Sequence, residues 1–170
     1  MSRTFPLLAV AFSVLLLTTT YAQEDIRREV SGFWQGRVKF TSDDSEASAS
    51  YLSKIERFRD TGFKITKNLR YLGGPGNGFK NQTITYLYPS GRSRSTEYVE
   101  KIDQPVAFGW GKWSIAGSTL SITETWETEN TTYRMTSKHS LRDATRMRLH
   151  GTLSAGMRWS GSVAKTLDLD

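Results

Sequence analysis

The chain has 170 residues, with 23 Lys and Arg against 17 Asp and Glu, a formal net charge of +6 and no cysteine. That length suits one domain of ordinary size, and 37% hydrophobic residues with five Trp mark a folded protein rather than a disordered one. Without cysteine there is no disulfide scaffold, no Cys-ligated zinc, no thiol nucleophile and no Cys-linked lipid anchor.

The N-terminus reads as a targeting segment. Arg3 supplies a positive charge, and Phe5 to Leu17 is apolar except for Ser13. That run is shorter than the roughly 20 residues needed to cross a hydrocarbon core. Thr20 and Ala22 are the small residues a signal peptidase requires, so residues 1–22 are expected to be a cleaved signal peptide and 23–170 a single domain. An exported chain without cysteine fits a bacterial periplasm or medium better than a disulfide-forming eukaryotic secretory route.

Residues 26–30 could form one helical turn. Thereafter the chain alternates apolar and polar residues between turn signals, the pattern of antiparallel strands buried on one face. In Gly32–Phe40, Trp34, Gly36, Val38 and Phe40 share one face and Gln35, Arg37 and Lys39 the other. Glu46–Arg59 carries Leu52, Ile55 and Phe58 at helical spacing, but its Ser content with Tyr51 and Phe58 favours strand. Phe63, Ile65, Leu69 and Tyr71 continue an inward face that Lys67 interrupts. The glycine-rich stretch from Gly73 to Gly78 must be a loop. It lacks the ending of a phosphate-binding loop, and a lid or a plain linker is the alternative.

Strands follow over Thr83–Tyr88 and Ser95–Ile102. After them come strands bearing Trp113 and Ile115; Leu120, Ile122, Glu124 and Trp126; Tyr133, Met135, Ser137, His139 and Leu141; Met147, Leu149, Gly151 and Leu153; and Trp159, Gly161 and Val163. Short turns link these into a meander. The expected fold is all-β, an antiparallel up-and-down β-barrel of about eight to ten strands, because closure removes exposed edges. Pairing Leu153 with Met157 would set Gly151 against Trp159, a small residue facing a large one.

A helical turn followed by Gly32-Phe33-Trp34 at the start of such a barrel resembles the lipocalin and wider calycin family. Gly111 to Ile122 is similar to a late hairpin of bacterial lipocalin-like domains. The resemblance implies an interior cavity for a small apolar or amphipathic ligand. It also implies a late-strand Arg stacked on the first Trp, for which Arg158 is the nearest residue, though alternation turns it outward. The family includes lyases and isomerases without a fixed motif, so activity does not follow from the fold.

The inward set offers Trp34, Trp113, Trp126, Tyr133, Met135, His139 and Trp159 as ligand-lining residues, since aromatic faces and a thioether suit apolar ligands. The same side chains could simply fill the barrel. No catalytic set is assigned. If Trp126 paired with Thr131, Glu124 would face Tyr133, and a desolvated carboxyl beside a phenol could do acid–base chemistry of the isomerase or lyase type. His139 would then pair with Ser118, away from Glu124, as a core histidine. With only two His, far apart, no metal site is expected, and no motif names a cofactor.

On the outer face, Arg134, Lys138, Arg146, Arg148 and Arg158 gather on adjacent strands. They form either a solvated basic surface or a module for anionic envelope lipid or polysaccharide through Arg134, Arg146 and Arg148. Nucleic acid is not an expected partner of an exported protein. The leading expectation is a barrel that binds a small apolar or amphipathic molecule inside.

Overall fold

A computed structural model describes residues 26–73, 76–154 and 156–166. The expected signal peptide, 1–22, lies outside the described residues. A helical turn at 26–30 is followed by ten strands. They are β1 (Gly32–Thr41), β2 (Glu46–Phe58), β3 (Gly62–Leu72), β4 (Lys80–Leu87), β5 (Arg92–Val99), β6 (Ala107–Ala116), β7 (Thr119–Thr128), β8 (Thr132–Asp143), β9 (Arg146–Leu153) and β10 (Arg158–Thr166). Each pairs antiparallel with its sequence neighbours, and β10 closes onto β1 to complete the barrel. The all-β, up-and-down expectation holds, and Glu46–Phe58 is strand rather than helix.

Alternation along each strand puts one apolar set inside, and the interior is layered. One end is dry. There Val30, Trp34, Ile55, Phe63, Leu87 and Leu120 are at most 1% exposed, and the helical turn covers them. Trp34 Nε1 donates to the Val30 carbonyl oxygen at 2.8 Å, which pins the turn to β1.

The cation above Trp34 is Lys165, not Arg158. Lys165 pairs in register with Trp34, its Nζ lies 5.4 Å from the indole centroid and it donates to the Glu29 carbonyl oxygen at 2.9 Å. Arg158 sits at the opposite end, across from Thr41, and is exposed. Gly32 permits this crossing. Its φ of +127° disfavours a side chain, and a Cβ there would lie 2.7 Å from Lys165 Cε.

Two of the five tryptophans, Trp126 and Trp159, face inward toward the other, open end. Trp159 pairs with Gly151 and Leu153 N donates to Met157 O, as the small–large pairing required. A Cβ on Gly151 would run into the Trp159 indole, and one on Gly109 would lie 2.6 Å from Trp126. Both rings therefore lie flat across bare backbone, which leaves the middle of the barrel open.

The β7–β8 turn differs from expectation. The ladder continues through Glu127 opposite Thr132, and Thr128 N donates to Thr131 O, so Glu129 and Asn130 alone make the loop. This moves every β8 residue by two positions against β7. Tyr133 faces Trp126, Met135 faces Glu124 and His139 faces Leu120 rather than Ser118.

Candidate functional site

Two adjoining hollows, which share Tyr51, Lys67, Thr83, Met135 and Trp159 in their walls, occupy the barrel. The outer, of about 180 Å³, opens at the end where Phe40, Tyr71, Leu153 and Met157 form the rim. Its walls include Trp126, Tyr133, Met135 and Trp159, four of the seven residues read from sequence as lining. Trp126 and Tyr133 stack, with planes 4° apart and centroids at 6.3 Å. The inner chamber, of about 50 Å³, adds His139, Glu124, Thr85 and Ser137.

Trp34 and Trp113, expected as lining, border neither hollow. Trp34 has no exposure and belongs to the dry floor. Trp113 packs edge-on against Phe63 and donates from Nε1 to the Tyr88 carbonyl oxygen at 2.8 Å, so it too supports the closed end.

The middle of the barrel is polar: beside Glu124 and His139, both named from sequence, it holds Lys67, Thr83 and Glu97. Lys67 on β3, Thr83 on β4 and Glu97 on β5 are in register and all face inward. Asn81 Nδ2 donates to Glu97 Oε1 at 2.6 Å and fixes that carboxylate. Glu124, 1% exposed, accepts from Ser95 Oγ at 2.8 and 3.0 Å and from Trp126 Nε1 at 3.1 Å. Ser95 Oγ also lies 2.7 Å from Thr85 Oγ1, in a hydrogen bond that extends the network to β4. Burial pushes the Glu124 carboxyl up from its ordinary value, against the opposing pull of these hydrogen bonds and of Lys67.

The expected Glu124–Tyr133 pair is not made. The two-residue shift of β8 places Tyr133 on Trp126, and no hydrogen bond joins its phenol to Glu124. Burial pushes the phenol up to about 12, with Glu97 and Glu124 adding to it, so it stays protonated. His139 is buried and held neutral, its pKa lowered to about 4 by burial and by the Lys67 charge. Glu124, Tyr133 and His139 thus do not form one acid–base constellation.

Several polar groups facing these hollows lack partners. The Tyr51 hydroxyl points toward Ser53 but completes no hydrogen bond of good geometry, and His139 Nδ1 and Asn81 Oδ1 are likewise buried without a partner. Lys67 Nζ makes no hydrogen bond or ion pair among the described residues. Burial lowers the Lys67 pKa, with Glu97 and Glu124 pulling it back up. Each buried group left unpaired costs about 1–3 kcal/mol, which pairing with a bound molecule can return.

Outside, Arg134, Lys138, Arg148 and Arg158 are exposed on β8, β9 and β10, together with His150. Arg146 is tied to Asp143, with Nε donating to Oδ2 at 2.6 Å. The described part of the glycine-rich loop borders the mouth, where Gly78 N donates to Tyr71 O and Gly73 N to Asn77 Oδ1.

No protein-family model matches the sequence, and neither does any curated protein sequence. Solved structures do share the fold. The chain is similar to Rv2717c from M. tuberculosis at 9% identity and a TM-score of 0.57, over 82% of this chain and 94% of that one. It is also similar to the S-type phycobiliprotein lyase CPES from Guillardia theta, at 9% identity and a TM-score of 0.54, over 88% and 94%. The lipocalin/calycin-like resemblance carried by Gly32-Phe33-Trp34 therefore holds at the level of the barrel fold.

Proposed function

We propose that the barrel binds a small amphipathic molecule head-inward, with its polar end in the Lys67–Glu97–Glu124 zone and its apolar end between Trp126 and Trp159. The observation that carries this reading is the set of buried, unpartnered polar atoms, Tyr51 Oη, His139 Nδ1 and Asn81 Oδ1, around the two hollows that Lys67 also lines. A polar interior without partners is costly to maintain for stability alone. The aromatic rim supplies apolar contact at the same opening.

Size and charge narrow the ligand. A hollow of about 180 Å³ is smaller than the roughly 300–1,000 Å³ of pockets that enclose a drug-sized ligand, so it takes a small molecule or one end of a longer one. Glu97 and Glu124 border the same hollows as Lys67, so an anionic head would meet two acidic side chains beside the one amine, and a neutral polar head fits better. The similarity to a phycobiliprotein lyase extends to the fold alone, and its activity is not carried over.

The apolar Phe5–Leu17 run with Thr20 and Ala22 supports export, with the ligand met in the periplasm or the medium. The basic outer face is the weaker site, because exposed Arg and Lys satisfied by water create no demand for a partner.

Cinnamyl alcohol, a neutral amphipath, tests the reading by calorimetric titration. It is expected to bind, cinnamate to bind more weakly, and Trp159→Ala to weaken the alcohol by about tenfold or more, as loss of a buried aromatic anchor does. Equal affinity in the wild type and Trp159→Ala would contradict it.

A further inference from the structure

We infer that Lys67 is a carbonyl-capturing nucleophile: it condenses with an aldehyde on the head of a bound apolar molecule to form an imine inside the barrel. This rests on the ligand-binding reading above and adds a chemical class to it. The geometry is specific to this lysine. Lys67 borders both the outer hollow and the inner chamber, so a molecule that enters through the first reaches this residue on the way to the second.

Among the described residues no ion pair ties Lys67 to a carboxylate, and unlike the surface lysines, whether ion-paired as Lys39 and Lys80 are or not, it lines both hollows. Burial lowers the Lys67 pKa, with Glu97 and Glu124 opposing it, so the share of uncharged, nucleophilic amine is larger than at a lysine in water. The neighbours supply the other roles. Tyr51 Oη has an uncommitted proton for the carbonyl oxygen, and Glu124 borders the same chamber.

The condensation balances without any further reagent. The amine nitrogen attacks the carbonyl carbon, the C=O pair moves to oxygen, and a proton passes from nitrogen to that oxygen to give a carbinolamine. The nitrogen lone pair then expels the hydroxyl, which leaves as water with the proton of Glu124. An iminium cation remains beside the Glu124 carboxylate, and Glu97, held by Asn81, adds to the field that stabilises it. Return of the proton and water reverses the step, so capture is reversible.

The test uses cinnamaldehyde with borohydride trapping on the folded protein, followed by intact mass and peptide mapping. The expected result is one equivalent of reduced adduct, on Lys67, in large excess over every other lysine, and its loss in Lys67→Arg. Circular dichroism confirms the fold of that variant, and Lys67→Met serves if it fails. Adduct spread over surface lysines without enrichment at Lys67, in a protein that binds cinnamyl alcohol, overturns the inference and leaves the binding reading intact. If cinnamyl alcohol itself does not bind the wild type, the cavity reading fails first.

Discussion

Trp34→Ala is expected to cost about 3–5 kcal/mol of folding stability, the range for truncating a buried aromatic in a core that cannot collapse. The indole has no exposure and packs in the dry end with Val30, Ile55 and Phe63. Its removal also frees the Val30 carbonyl that Nε1 holds and strips the aromatic face beneath Lys165. The helical turn at 26–30 then loses its tie to β1, and the closed end opens to water. Urea denaturation followed by circular dichroism measures the loss. A change below about 1 kcal/mol, little more than a surface substitution, would show that the floor is not where the barrel is anchored.

A comparably large effect is expected on acidification. His139 in the folded barrel titrates at about 4 against an ordinary 6.5. Between those values the unfolded chain binds a proton that the native state excludes, so stability rises with pH through this window and falls as pH drops. The full shift corresponds to something on the order of 3 kcal/mol.

Glu124 acts in the opposite sense. Its folded value lies above 4.5, so its contribution is full below the unfolded value and fades as pH rises through the folded one. Asp143, held low chiefly by its bond with Arg146, titrates below this range. The comparison that isolates His139 is therefore wild type against His139→Gln in denaturation at pH values spanning about 4 to 6.5. The variant should show a flatter or inverted slope, and an unchanged slope would place the imidazole in water.

These two effects come from parts of the barrel that differ in how far the sequence discloses them. The floor is legible. A Trp at the start of a strand whose alternate residues are Gly36, Val38 and Phe40 must face inward, and period-two alternation fixes that without knowledge of any partner. The same rule set Trp159 over Gly151, because a short turn leaves one register open.

The polar depth is a different case. Lys67 stands out as a charged residue on an otherwise apolar face, and that interruption is the signal that could have located the site. Its meaning depends on Thr83 and Glu97, brought alongside by two further strands. Likewise Ser95 meets Glu124 from β5 to β7, across β6, and nothing local in either strand encodes that meeting.

The turn at 127–130 misled for a physical reason. Four consecutive polar residues look like a loop, but Thr128 keeps its place in the ladder through its bonds with Thr131. A two-residue difference there is enough to separate Tyr133 from Glu124. The cation over Trp34 is not legible in the sequence because Lys165 lies far along the chain, and only closure of β10 onto β1 brings it there.

The most direct measurement is a crystal structure of the protein grown with cinnamyl alcohol. The phenyl ring is expected between Trp126 and Trp159, with the hydroxyl within hydrogen-bond distance of Tyr51 Oη or Lys67 Nζ. The alcohol lying only on the outer face near Arg148 and Arg158, with the interior polar groups bonded to one another instead, would contradict it.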